Sequence, residues 1–181
     1  MPKDVMNEEA LMRKTEEVRF RKPDASDGAA IWELIRACSP LDENSMYANL
    51  IQADHFSDTC VVAERGDKIV GWVSGHMIPN EESFFVWQVA VSEKARGLGL
   101  GKRMLRDLLD RDETEGAKAL KTTITKDNDA SWALFRSLAR DIGGELTDEP
   151  HFEKDEHFDG AHDTEHMVTI QLDDEAARSA A

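Results

Sequence analysis

Two cysteines in 181 residues are too few for a disulfide framework. Cys38 follows Ile35 by three positions and Cys60 precedes Val61-Val62. Such apolar settings fit buried free thiols and a reducing compartment. No segment approaches the apolar length of a membrane span, and residues 1–20 hold no run of the secretory-leader kind. A cytoplasmic protein without a membrane partner is expected. Basic residues are also scarce: 22 Lys and Arg stand against 37 Asp and Glu, for a net charge of −15. Such a surface repels nucleic acid. It suits a small cationic substrate, or simply solubility. Repeats, low-complexity linkers and composition breaks are missing too. One domain over residues 18–172 is therefore expected, between a mixed-charge arm (1–17) and a polar tail (173–181). That length buries a core without staples.

The remaining pattern alternates strands and helices. "VRFRKP" reads as a strand stopped by Pro23, and Ser26 is placed to cap a helix with Ile31, Leu34, Ile35 and Cys38 on its apolar face. Ser39-Pro40 ends that helix. "LDENSMYANLIQADHF" predicts a second helix, capped by Asp42 or Ser45, with Met46, Leu50 and Ala53 inward. Arg65-Gly66-Asp67 marks a hairpin. "SFFVWQVAV" is apolar enough to predict a central strand buried on both faces. Met104, Leu105, Leu108 and Leu109 share one face of the next helix. A strand then leads to a helix capped by Asn128 or Asp129, striped by Trp132, Phe135, Leu138 or Ala139, and Ile142, and ended by Gly143-Gly144. "EHMVTIQL" is the last strand. The order β-α-α-β-β-β-α-β-α-(β)-β predicts a mixed α/β sheet with helices on both faces.

"VAVSEKARGLGLGKRML" (residues 89–105) raises the chemical question, because its alternate glycines leave backbone bare. A Walker A loop would need glycine at Arg96 and Ser or Thr at Arg103, so that reading fails. A dinucleotide fingerprint would need glycine at Lys102, and fails too. The pattern R-x-x-G-x-G fits Arg96, Gly99 and Gly101 directly after a strand. There, exposed N–H groups at a helix start form a seat for a pyrophosphate, with Arg96 and Lys102 beside it. The bland alternative is a glycine-rich turn without a ligand.

This stretch resembles the acetyl-CoA signature of the GNAT N-acetyltransferase superfamily, and the element order matches over nearly the whole chain. The resemblance implies a mostly antiparallel central sheet whose strands splay to hold acetyl-CoA as co-substrate. It implies pantetheine contacts at Val89 and Val91, and a pyrophosphate seat on Arg96, Gly97, Leu98, Gly99, Gly101 and Lys102. Asn128 matches the asparagine opening the second cofactor helix. Phe135 stands where many relatives carry a tyrosine that protonates the leaving thiolate, which phenylalanine cannot do. "PLDENSMY", "FSDTCVVAE", "FFVWQVAV" and "TKDNDASWALF" resemble more narrowly the L-2,4-diaminobutyrate N-acetyltransferases of ectoine synthesis. That implies acetylation of the 4-amino group by direct attack, with homodimers common. Other acceptors remain open: another small amine, a protein N-terminus, or none, in a CoA-binding sensor.

Acetyl transfer needs a neutral amine, a donor for the thioester oxygen, and close placement of the two. The family's oxyanion donor maps to the backbone N–H of the Val89 strand. For the acceptor, Asp42, Asn44, Ser45 and Tyr47 cluster between the first two helices, with capping by Asp42 or Ser45 as the alternative. Of Trp87 and Gln88, one must face the acceptor side, since strand neighbours alternate. A buried Trp87 indole would welcome a carboxylate, with core packing as the alternative. Residues 150–166 hold four histidines and six carboxylates. Their spacing fits no metal frame, and none is expected. They read as a solvated acidic loop, or as an acceptor wall in which His162 or Glu165 takes the amine's proton through water. His55 and His76 read as structural.

Overall fold

Strand runs and capped helices succeed one another in the computed structural model, which describes residues 18–38 and 41–172. The expected arm, the tail and the Ser39-Pro40 stop lie outside those residues. The strands are β1 (Val18–Arg21), β2 (Val61–Arg65), β3 (Lys68–Met77), β4 (Ser83–Val91), β5 (Ala119–Thr125), β6 (Leu146–Phe152) and β7 (Glu165–Gln171). The helices are α1 (Gly28–Ala37), α2 (Met46–His55), α3 (Leu100–Leu109), α4 (Asp129–Ile142) and the short α5 (Lys154–His157). The seven-stranded sheet runs β1-β2-β3-β4-β5-β7-β6. β1–β2, β2–β3, β5–β7 and β6–β7 pair antiparallel, and β4–β5 pair parallel. The expected mixed, mostly antiparallel sheet is borne out. Two compact units divide the chain: one runs through Val73 and adds Val89–Met104, the other joins Ser74–Gln88 to Leu105 onward.

The first unit buries Ile31, Ile35, Ala53, Val62, Trp72 and Ala90 in one cluster with both thiols, Cys38 and Cys60. Arg21 donates to Asp27 and to Glu64, tying β1 to β2 and to the turn before α1. Those bonds hold the Asp27 and Glu64 carboxyls below their ordinary range. The turn between β2 and β3 is Gly66-Asp67, with Gly66 at φ +59° as the hairpin requires. Gly71 has a packing reason instead: a Cβ there would lie 2.9 Å from Met104 of α3.

Two expectations fail in this unit. Ser26 does not cap α1. Asp24 accepts the Ser26 N–H at 2.7 Å, and Asp27 reciprocates by accepting the Asp24 N–H at 2.8 Å. This capping box closes a 3-10 turn upstream of α1, and α1 itself starts from Asp27 without a side-chain cap. Nor does α2 bury Met46 and Leu50 alongside Ala53. Its buried residues are Asn49, Gln52 and Ala53, while Met46 is exposed and Leu50 leans against Gly28 of α1.

In the second unit, β4 is not buried on both faces. Phe84, Val86 and Gln88 are buried, whereas Phe85 is half-buried and Trp87 is 52 % exposed. The β4–β5 ladder pairs only Ser83, Phe84 and Phe85 with Ala119, Leu120 and Lys121. Val86–Gln88 and Thr122–Thr125 run on outside that register, so the parallel strands part where the splay was expected. α4 follows the expected stripe: Trp132, Phe135, Leu138 and Ala139 are all buried. It ends on Gly143 at φ +70°, a left-handed stop that favours glycine.

Candidate active site

The glycine loop lies in the first unit. β4 ends where Ser92 donates its N–H to Val70 O at 2.9 Å, and a 3-10 turn over Glu93–Ala95 follows. Arg65 Nη2 donates to Lys94 O at 3.2 Å, bracing that turn from β2. Gly97 (φ +80°) and Gly99 (φ +64°) are both left-handed, and a Cβ on either would meet nothing within 4 Å. Glycine is therefore demanded by the backbone angles, and the ground in front of the loop is open. Arg103 N–H makes an early α3 bond, to Gly99 O. The first-turn amides before it have no intrahelical acceptor. Left-handed glycines running into unpaired amides make a concave anion seat, and the helix dipole favours the same charge. Arg96 stands beside it, 54 % exposed and 3.8 Å from Glu93. The residues present fit a pyrophosphate.

Cys38 donates its S–H to Val91 O at 3.3 Å, and burial pushes that thiol up. A buried thiol held protonated is no nucleophile. The same unit carries the proposed acceptor residues. Ser45 caps α2, its Oγ accepting the Ala48 N–H at 3.1 Å, so capping accounts for it. Asp42 is exposed and Asn44 half-buried. Tyr47 is 72 % exposed, an unusual setting for the sole tyrosine of the chain.

In the second unit, Asn128 caps α4, its Oδ1 accepting the Ser131 N–H at 3.1 Å. Trp132 Nε1 donates to Thr125 O at 3.1 Å, locking the helix start to the end of β5. Phe135 lies 2 % exposed in the inner stripe of α4. Trp87 points outward and Gln88 inward, which settles which of the two faces away from the core. His76 packs its ring 5.5 Å from that of Phe85, and burial pushes its imidazole down.

His162 and Glu165 are brought together, Nε2 to Oε1 at 3.8 Å. His162 Nδ1 lies 2.7 Å from Asp163 O. A carbonyl only accepts, so Nδ1 is the donor in that contact. The rest of the histidine-rich segment is structured: His157 Nδ1 accepts the Glu153 N–H, and Lys154 Nζ pairs with Asp163. Among the described residues, no group of three or more His, Cys, Asp or Glu is placed to hold a metal ion. None of their helices is long and apolar enough to cross a membrane. Sequence reasoning missed the braces on this scaffold, Arg65 to Lys94 and Cys38 to Val91. Each joins residues 29 or 53 positions apart, beyond any local pattern.

The family model described as "Acetyltransferase (GNAT) family" matches residues 28–139. The chain belongs to the GNAT acetyltransferase family. Curated members similar to this acetyltransferase include the L-2,4-diaminobutyric acid acetyltransferase of Methylotuvimicrobium alcaliphilum. It is 47% identical over 84% of this chain and 90% of its own length. The enzyme of the same name from Vibrio cholerae is 44% identical over 84% of this chain and 89% of its own. Among solved structures, diaminobutyrate acetyltransferase EctA from Paenibacillus lautus, in complex with L-2,4-diaminobutyric acid and coenzyme A, matches with a TM-score of 0.81. It is 38% identical and covers 86% of this chain and 95% of that one. The GNAT fold extends to more distant structures such as Ard1 from Thermoplasma volcanium, at a TM-score of 0.68 and 16% identity.

Proposed function

We infer that this GNAT acetyltransferase moves the acetyl group of acetyl-CoA onto the 4-amino nitrogen of L-2,4-diaminobutyrate. The products are N4-acetyl-L-2,4-diaminobutyrate and CoA, the acetylating step of ectoine synthesis. The observation that carries this is the 38% identity and TM-score of 0.81 to an enzyme solved with that substrate and coenzyme A. The amine nitrogen attacks the thioester carbonyl, the C–S bond breaks, and the thiolate leaves as the nitrogen gives up a proton.

Roles for residues follow from the chemistry. The Arg96–Lys102 loop would seat the pyrophosphate, and the Val89 N–H would meet the charge developing on the thioester oxygen. Nε2 of His162, beside Glu165, is the proton acceptor we propose, through water. In the first unit, Asp42, Asn44 and Tyr47 are the acceptor contacts we propose, with Ser45 contributing by capping; in the second unit, Trp87 is proposed as an acceptor contact. With phenylalanine at position 135, the thiolate leaves without a tyrosine proton. A thiol is acidic enough for that. A homodimer in the cytoplasm is proposed with it, supported by two buried cysteines that form no disulfide for the compartment and by the resemblance for the assembly.

A thiol-release assay with acetyl-CoA against diaminobutyrate, ornithine, lysine, a polyamine and an N-terminal peptide tests the reading. Diaminobutyrate should be turned over at least tenfold better than the others, with mass spectrometry placing the acetyl group on N4. Equal turnover of diaminobutyrate, ornithine and lysine sinks the substrate assignment. CoA binding without turnover of any amine sinks the enzyme.

A further inference from the structure

α2 is turned inside out. Met46 (39 % exposed), Tyr47 (72 %) and, at its C-cap, Phe56 (43 %) face outward, while Asn49 (0 %) and Gln52 (4 %) are buried beside Ala53. Among the described residues, neither oxygen nor nitrogen of either carboxamide finds a hydrogen-bond partner. The indole Nε1 of Trp72, in the core cluster that also holds Ala53, is buried and unpartnered as well. Leaving a buried amide unmet costs more than a made hydrogen bond returns, and such groups in folded proteins are almost always satisfied. Positions three apart on a helix are neighbours, so the two carboxamides face the same ground.

We propose that Asn49 and Gln52 bind internal water beneath α2. The occupant must both donate and accept, because the pair offers two carbonyl oxygens and two NH2 groups. Two amide oxygens are too few ligands for a cation. Water donating to Oδ1 and Oε1 while accepting an amide N–H meets these conditions with the two to four partners such a molecule needs. Trp72 Nε1 is a further donor within the same core. The site is independent of the reaction proposed above.

Proton cross-relaxation between water and the side-chain NH2 groups of the 15N-labelled full chain reads the site directly. Both groups should show cross-peaks of the sign given by long-lived bound water. Absence of those peaks overturns the proposal. So does a crystal structure in which the two carboxamides bond to each other and no water lies between them. Thermal denaturation supplies a second reading. Asn49→Leu and Gln52→Met should each lower Tm by about 3 °C or more, since each leaves the other amide stranded. The double variant should return to the parental Tm or above it. Losses that simply add in the double variant overturn the shared site. Where a single variant does not fold, the relaxation measurement on the parent decides.

Discussion

Gly97 and Gly99 are needed for their angles, not for room, since neither Cβ would touch anything within 4 Å. What the loop offers an anion is amides, and the fixed positive charge comes from Arg96 with Lys102. Arg96→Ala should therefore leave the loop folded and weaken only its grip. A hydrogen bond to a charged group is worth about 1.5–3 kcal/mol, so the acetyl-CoA KM should rise roughly ten- to hundredfold. The acceptor KM should stay within about twofold in steady-state kinetics. An unmoved acetyl-CoA KM would remove the loop as the pyrophosphate seat. At this scale the Walker reading fails at Arg96 and Arg103 and the dinucleotide reading at Lys102, so single residues in the sequence already separate the candidate loops. The Cys38 bond to Val91 O was not legible. A thiol's partner 53 positions away leaves no trace in spacing.

Elements were readable where apolar period and cap chemistry agree. α4 shows both: Asn128 at its start, a stripe ending near Ile142, and left-handed Gly143 at its stop. α2 shows why the reading fails elsewhere. Met46, Leu50 and Ala53 recur at helical spacing, but the helix buries Asn49 and Gln52. Hydrophobic periodicity treats a buried amide as a surface residue. Ser26 does not cap α1 for a related reason: it lies inside a 3-10 turn closed by Asp24 and Asp27, whose reciprocal bonds are visible only in three dimensions. For α4 the cap and the cofactor compete as explanations of Asn128, and two substitutions separate them. Asn128→Ala should cost about 1 kcal/mol of stability, a Tm loss of roughly 2–4 °C. Asn128→Ser should restore the cap and the Tm. If Asn128 also touches acetyl-CoA, the serine variant keeps a raised acetyl-CoA KM at parental Tm. A serine variant parental in both would make Asn128 a cap alone.

At the scale of the whole molecule, the net charge of −15 acts on the two substrates in opposite directions. Diaminobutyrate, with two ammonium groups and one carboxylate, is drawn toward an acidic surface; acetyl-CoA, a polyanion, is repelled until it reaches the positive loop. The field responsible reaches about 10 Å at 0.1 M salt and about 3 Å at 1 M. Raising sodium chloride across that range should raise kcat/KM for acetyl-CoA and lower it for diaminobutyrate, each measured with the other substrate saturating. Arg96→Ala should leave both slopes in place while shifting the acetyl-CoA curve downward, because long-range repulsion comes from the whole surface and not from one guanidinium. Should kcat/KM for acetyl-CoA fall with salt instead, attraction by Arg96 and Lys102 outweighs the acidic surface at the moment of encounter. The loop would then steer the cofactor as well as hold it.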